Sequence, residues 1–176
     1  MKKRPLGQTG ISVSVLGMGG LFVSQVGGKG REQAQEAIHR CLELGVNYID
    51  TAPSYADSEE VLGLALEGVS QPYMISTKLG GRPEPFDPKN KDLLRRSIDN
   101  SLKLLKKDVI DILMVHEPDR PGQYDWWDNY DNYHGPVSEI LDELKSEGII
   151  RFTGLGGTSA YQLPPIISTG NYDVVL

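Results

Sequence analysis

Two hydrophobic periods alternate along this chain. Short apolar runs of strand length, Val46 to Ile49, Tyr73 to Thr77, Val109 to Val115 and Ile149 to Leu155, are interleaved with stretches whose apolar residues recur every three or four positions. Ala34, Ala37, Ile38, Cys41 and Leu42 share one helical face, ended by Gly45, and Val61, Leu62, Ala65 and Leu66 mark a second helix. Leu94, Ile98, Leu102 and Leu105 mark a long third one. Val137, Ile140, Leu141 and Leu144 mark a fourth, opened by Pro136 and ended by Gly148. A short fifth helix carries Pro164-Pro165 near its start, and Tyr172 to Leu176 begins another strand. For the second helix the spacing predicts a capping box of Asp57 and Glu60. For the third, Asp87-Pro88 reads as a cap followed by proline at the first helical position. Ahead of these, Lys3 to Ser14 contains a Gly-Gln-Thr-Gly turn and reads as a hairpin. Val15-Leu16-Gly17-Met18-Gly19-Gly20 is a strand running into glycines, and Gly27-Gly28-Lys29-Gly30 prolongs a flexible loop.

Such alternation of strand and helix predicts an α/β fold with a parallel sheet and right-handed crossovers, in one domain covering 1–176. A closed (β/α)8 TIM barrel needs roughly 250 residues. The pattern therefore fits about the first six strands of a truncated barrel, while an open doubly wound sheet is what length alone would favour.

Composition narrows the partners. A net charge of −6 argues against nucleic acid or an anionic membrane as the main partner. No apolar run approaches the ~20 residues of a membrane span, and no signal-peptide stretch follows the basic amino terminus. A single cysteine, Cys41, allows no intrachain disulfide and no thiolate metal cluster, and His39 and His134 lack partners at ligand spacing. A reducing cytoplasm is the expected setting, and no metal site is expected.

The chemistry gathers at strand ends. Asp50 closes the strand from Val46 and Tyr55 lies in the loop beyond it; Lys78 and His116 close the next two strands. In parallel α/β folds that end of the sheet carries the active site. Tyr55 is a natural proton donor to a carbonyl, but a free phenol has a pKa near about 10 and needs a neighbouring positive charge to work near neutrality. Lys78 can supply that charge, Asp50 can hold the lysine charged, and His116 can orient the substrate oxygen. Each of the four alone has an ordinary structural explanation as a cap, a strand end or a half-buried aromatic; their coincidence at corresponding strand ends does not.

Other signals are less specific. Neither Gly17-Met18-Gly19-Gly20 nor Gly154-Leu155-Gly156-Gly157-Thr158-Ser159 completes a dinucleotide fingerprint, since Phe22 and Ser159 stand where the third glycine belongs. Both read equally as turns or as places for close backbone approach by a flat ring or a phosphate. The long loop from Glu117 to Gly135, with Tyr124, Trp126, Trp127, Tyr130 and Tyr133, reads as an apolar pocket over the strand ends or as an edge for a partner subunit.

These motifs resemble the aldo-keto reductase family. Val46-Asn47-Tyr48-Ile49-Asp50-Thr51-Ala52-Pro53-Ser54-Tyr55, with Ser58-Glu59-Glu60-Val61-Leu62-Gly63, is similar to its second-strand signature. Ile75-Ser76-Thr77-Lys78 and Asp111-Ile112-Leu113-Met114-Val115-His116 are similar to the segments bearing its lysine and histidine. The resemblance implies a (β/α)8 barrel plugged at the bottom by the amino-terminal hairpin. It also implies NADP- or NAD-dependent interconversion of a small carbonyl compound and its alcohol by direct hydride transfer, with Asp50, Tyr55, Lys78 and His116 as the catalytic tetrad. Gly19, Gly20, Leu21, Asp50, Gly156 and Gly157 fall at its cofactor-binding positions. Family members commonly carry Ser-Asn after the fifth barrel strand, where this chain has Gly156-Gly157. The loops by which the family grips the pyrophosphate and adenosine follow strands seven and eight, beyond this sequence. Expected alternatives are a non-catalytic binding subunit and, on the same fold, a phosphate-binding isomerase. Open barrel edges would favour self-association or complementation.

Overall fold

Among the residues described by the computed structural model, 1–28, 30–82 and 84–176, six parallel strands lie side by side in chain order. They are β3 (Met18–Gly19), β4 (Tyr48–Asp50), β5 (Met74–Leu79), β6 (Ile110–His116), β7 (Ile150–Gly156) and β8 (Val174–Val175). A hairpin of β1 (Lys3–Pro5) and β2 (Ser12–Ser14) precedes them. The connections hold α1 (Arg31–Glu43), α2 (Ser58–Ala65), α3 (Lys91–Leu105), α4 (Pro136–Ser146) and α5 (Leu163–Ile167). A doubly wound sheet reverses its strand order at a switch point. Here the order never reverses, so the chain winds one way, as the consecutive strands of a barrel do. Lys29 of the glycine-rich loop lies outside the described residues.

The two-residue alternation of strands separates two environments. Ile49 and Ile75 pack on α1 and α2, while Leu79, Leu113, Val115 and Leu155 pack with α3, α4 and α5. The opposite parity, Ile112, Met114, Val174, Tyr48 and Phe152, gathers on the concave side around Leu6 from the hairpin. Ser14 N donates to Asn47 Oδ1 (2.6 Å) and Asn47 N to Ser14 Oγ (3.0 Å), fastening the hairpin to the segment leading into β4. That is the expected plug.

Several local expectations are corrected. Asp57 makes no capping bond to α2; its Oδ1 accepts instead from Gln25 N (2.7 Å), a tertiary contact that takes the oxygen a cap would need. Glu60 turns outward to Arg31 (2.7 Å). The helix expected from Asp87-Pro88 starts at Lys91, where Asn90 caps it by accepting from Leu93 N (3.1 Å). Asp87 instead closes a turn through Lys89 N (2.9 Å). Ala37 is exposed and Cys41 half-buried, so the buried stripe of α1 is Ala34, Ile38 and Leu42. The aromatic loop is no open pocket at its tryptophans: Trp126 and Trp127 are 0% and 2% exposed and belong to the core beside α3 and α4. Trp126 Nε1 donates to His116 O (2.9 Å), so burial leaves its polar atom satisfied. Among the described residues, no helix is long and apolar enough to cross a membrane.

Candidate active site

Strand register brings the candidate residues together. Asp50 stands opposite Ser76, two residues before Lys78; Lys78 stands opposite Met114, two residues before His116. All therefore share the concave face at the carboxyl ends of β4, β5 and β6. Tyr55 follows in the loop after β4, where Tyr55 N donates to Ala52 O (3.0 Å) and Ser58 N to Tyr55 O (2.9 Å), before Ala56 at φ 49° turns the chain into α2.

Lys78 is 3% exposed and held by two acceptors, Asp50 Oδ2 at 2.7 Å and Thr51 O at 2.8 Å. The other oxygen of Asp50 accepts from Ser76 Oγ (2.6 Å), which in turn accepts from the Tyr48 hydroxyl (3.0 Å). Burial draws the Lys78 ammonium down and Asp50 resists it. Its nitrogen lies 5.0 Å from the centroid of the Tyr55 ring. The Tyr55 phenol is nevertheless raised above its ordinary value, by burial first and then by the Asp50 and Glu117 carboxylates. Lys78 thus faces the ring without loosening the resting proton. His116 is lowered to about 4, mainly by burial and then by the positive charges of Lys78 and Arg120. It is neutral at physiological pH. Its Nδ1 is buried and has no partner among the described residues. Its ring stands edge-on to Tyr55 at 6.1 Å between centroids and stacks on Tyr124 at 6.4 Å.

A cavity of about 160 Å³ is lined by Tyr55, Lys78, His116, Glu117, Gly156, Gly157 and Thr158, with Leu176 at its side. A Cβ on Gly156 would lie 3.2 Å from Lys78 Cε, and one on Gly157 would lie 2.6 Å from Asp119 Oδ1 and 2.8 Å from Leu163 Cδ2. Gly156 therefore leaves bare backbone beside Lys78 in the cavity wall, which suits a planar ring, whereas Gly157 is required by packing against Asp119 and Leu163 behind that wall. Gly20 is packed likewise. A Cβ there would meet Ser58 Oγ at 2.7 Å and Asp50 O at 2.9 Å, so close packing against the base of the Tyr55 loop requires the glycine. Gly19 faces open space and Leu21 is half-buried in a single helical turn, Leu21–Val23. Gly19 is thus open to an approaching group and Gly156 leaves room beside Lys78, while Gly20 and Gly157 are built into the scaffold.

The sequence pattern did not single out Ser76, Glu117 or Asp119. Ser76 was signalled only by its parity with Lys78 on β5. Glu117, at φ 48°, donates its N–H to Gly156 O (2.7 Å), and its carboxylate takes the Thr158 hydroxyl (3.2 Å) and Arg120 (3.1 Å). A non-glycine residue in that region is held there by its surroundings. Asp119 Oδ2 accepts from Thr158 N (3.0 Å) and from Ser159 N, fixing the turn after β7. Among the described residues, no group of three His, Cys, Asp or Glu side chains is placed to hold a metal ion.

Comparison with known proteins agrees with the fold. The family model for the aldo/keto reductase family matches residues 15–176. The chain is 34% identical over 160 residues to L-galactose dehydrogenase of Arabidopsis thaliana, covering 88% of this chain and 48% of the relative. It is 33% identical over 172 residues to 6-dehydroglucose reductase of Novosphingobium aromaticivorans, covering 91% and 53%. The chain thus spans about half the length of these curated relatives. The holo form of the aldo-keto reductase AKR11C1 from Bacillus halodurans superposes with a TM-score of 0.72 at 32% identity, over 89% of this chain and 50% of that one.

Proposed function

The chain belongs to the aldo/keto reductase family, and from that premise we propose that it carries the catalytic groups of an NAD(P)H-dependent oxidoreductase that reduces an aldehyde or ketone to its alcohol, or runs the reverse. One observation carries the reading: the Lys78–Asp50 pair, 2.7 Å apart, lies beneath a cavity whose walls include Tyr55 and His116.

The chemistry follows from the surroundings of each group. Tyr55, its proton held more firmly than in water, stays protonated at neutral pH and donates to the carbonyl oxygen as negative charge develops there. Lys78, 5.0 Å from the ring centroid, stabilises the phenolate left behind. Asp50 keeps Lys78 charged against the cost of burial. His116, neutral, offers a ring N–H to the carbonyl oxygen and sets its direction. NADP or NAD, when bound, supplies or accepts the hydride. Gly156 and Gly157 in the cavity lining, the open Gly19 with Gly20 and Leu21 beside it, and Asp50 are the residues that would hold its nicotinamide end.

The names of the two curated relatives refer to galactose and dehydroglucose, and this cavity presents a carboxylate and a hydroxyl, Glu117 and Thr158, that can pair with substrate hydroxyls. The substrate class is therefore a small hydroxylated carbonyl compound, acted on in the cytoplasm. Incubating the chain with 4-deuterated NADPH or NADH and such carbonyls tests the reading by mass spectrometry of the alcohol. Deuterium on the new carbinol carbon is expected; no product with either cofactor refutes it.

A further inference from the structure

Behind the cavity, the loop after β5 runs between the two halves of the proposed site. Gly80 and Gly81 both have positive φ, 130° and 89°, which favours glycine at each. At Gly80 a Cβ would lie 3.3 Å from His116 Cβ and 3.2 Å from Tyr124 Cζ. At Gly81 it would lie 3.2 Å from Ser54 Cβ, on the residue before Tyr55. Two consecutive glycines therefore wedge backbone between the tyrosine loop and the histidine strand.

The wedge is anchored from outside the cavity. Arg82 donates through Nη2 to Glu59 Oε2, and Glu59 is 1% exposed, in the first turn of α2 four residues after Tyr55. The second oxygen of Glu59 accepts from Thr77 Oγ1 (2.6 Å), the residue before Lys78. One buried carboxylate thus ties together the helix following Tyr55, the strand position preceding Lys78 and the loop resting on His116. Neither Glu59 nor Arg82 lines the cavity. A buried charge of this kind is costly to leave unpaired and adds little stability when paired.

We propose that the Glu59–Arg82 pair is a positioning device: it draws the Gly80-Gly81 turn between Ser54 and His116 and so fixes the separation of Tyr55 and His116 across the substrate carbonyl. This inference rests on the reading that Tyr55 and His116 act on one carbonyl. Its effect belongs in kcat rather than in cofactor affinity, because the pair holds the acid and the orienting group and touches nothing in the glycine wall.

The test compares wild type, Arg82→Lys, Arg82→Met and the double variant Glu59→Gln/Arg82→Met, which leaves no lone buried charge and so keeps the fold accessible. In this chain, Arg82→Met and the double variant are expected to lose kcat by about tenfold or more, since a misplacement near 1 Å costs on the order of 10²-fold. The dissociation constant for NADPH should stay within about twofold, and Arg82→Lys should recover most of the loss. A second readout needs no turnover: the His116 ring protons, followed by NMR through a pH titration. Loosening the wedge admits water beside the ring, so the midpoint should rise toward the ordinary histidine value in the double variant. If the double variant melts cooperatively with wild-type kcat and an unmoved His116 midpoint, the pair is merely structural and the proposal falls. If wild type turns over no carbonyl, the functional reading fails by itself, and an unmoved midpoint then overturns the positioning proposal separately.

Discussion

Replacing Lys78 by methionine keeps the length of the side chain and removes its charge from a site where that charge is 3% exposed. The ammonium lies 5.0 Å from the Tyr55 ring centroid, the region over which phenolate charge forms as the proton leaves. At an effective dielectric of about 20, a charge pair at that distance is worth about 3 kcal/mol. Each 1.4 kcal/mol is about tenfold in rate, so Lys78→Met should lower kcat about 10²-fold. Asp50 loses its partner but keeps the bond from Ser76 Oγ, so part of its anchorage survives. The assay is steady-state oxidation of NADPH at saturating carbonyl substrate, with cofactor affinity and thermal unfolding measured alongside. A folded Lys78→Met protein with kcat within threefold of wild type would falsify the assignment of Lys78 as the charge that stabilises the phenolate.

Other consequences are equally direct. His116 is lowered to about 4, so the folded state resists protonation that the unfolded state accepts near 6.5. Its contribution to stability is present above about 6.5 and lost as pH falls from there toward about 4, on the order of 3 kcal/mol in all. Urea unfolding at pH 7 and pH 4.5 should show this loss in wild type and much less of it in His116→Asn; equal losses would refute it. Gly157→Ala places a Cβ 2.6 Å from Asp119 Oδ1 and 2.8 Å from Leu163 Cδ2, and should cost about 1–3 kcal/mol by chemical denaturation; an unchanged midpoint would count against the packed turn after β7. Reduction should persist through neutral pH and fall only above the ordinary phenol range, since the acid must be protonated and Tyr55 is raised; a basic limb below pH 9 contradicts this. With Leu16 and Phe22 exposed near β3 and Val175 exposed on β8, this chain should self-associate in size-exclusion runs; a monodisperse monomer across concentration would argue otherwise.

What could be read from the sequence was whatever depends on local period and on the ends of strands. Asp50, Lys78 and His116 fall at strand ends because apolar runs stop there, and parallel pairing in chain order then places those ends together. Harder to read was anything decided by competition between distant groups. Asp57 has the form of a helix cap, yet Gln25, distant in sequence, takes its oxygen. Asp87-Pro88 has the form of a helix start, yet Asp87 closes a turn through Lys89 N and the helix begins later, at Lys91 with Asn90 as its cap. Trp126 and Trp127 looked like pocket walls because a long aromatic loop does not reveal which way its rings face. Gly20 carries a packing constraint that no local pattern shows, the close approach of Ser58 and Asp50. Glu59 sat in a run of acids, and nothing local shows that it would be buried against Arg82.

The most direct measurement is NADPH and NADH oxidation by wild type and Tyr55→Phe against a panel of small hydroxylated aldehydes and ketones, with cofactor binding followed in parallel. Removing one hydroxyl from a half-buried ring changes little else at the site. Turnover by wild type, its loss in Tyr55→Phe and unchanged cofactor affinity are the expected results. Wild-type rates in Tyr55→Phe would contradict the acid role at the centre of the mechanism.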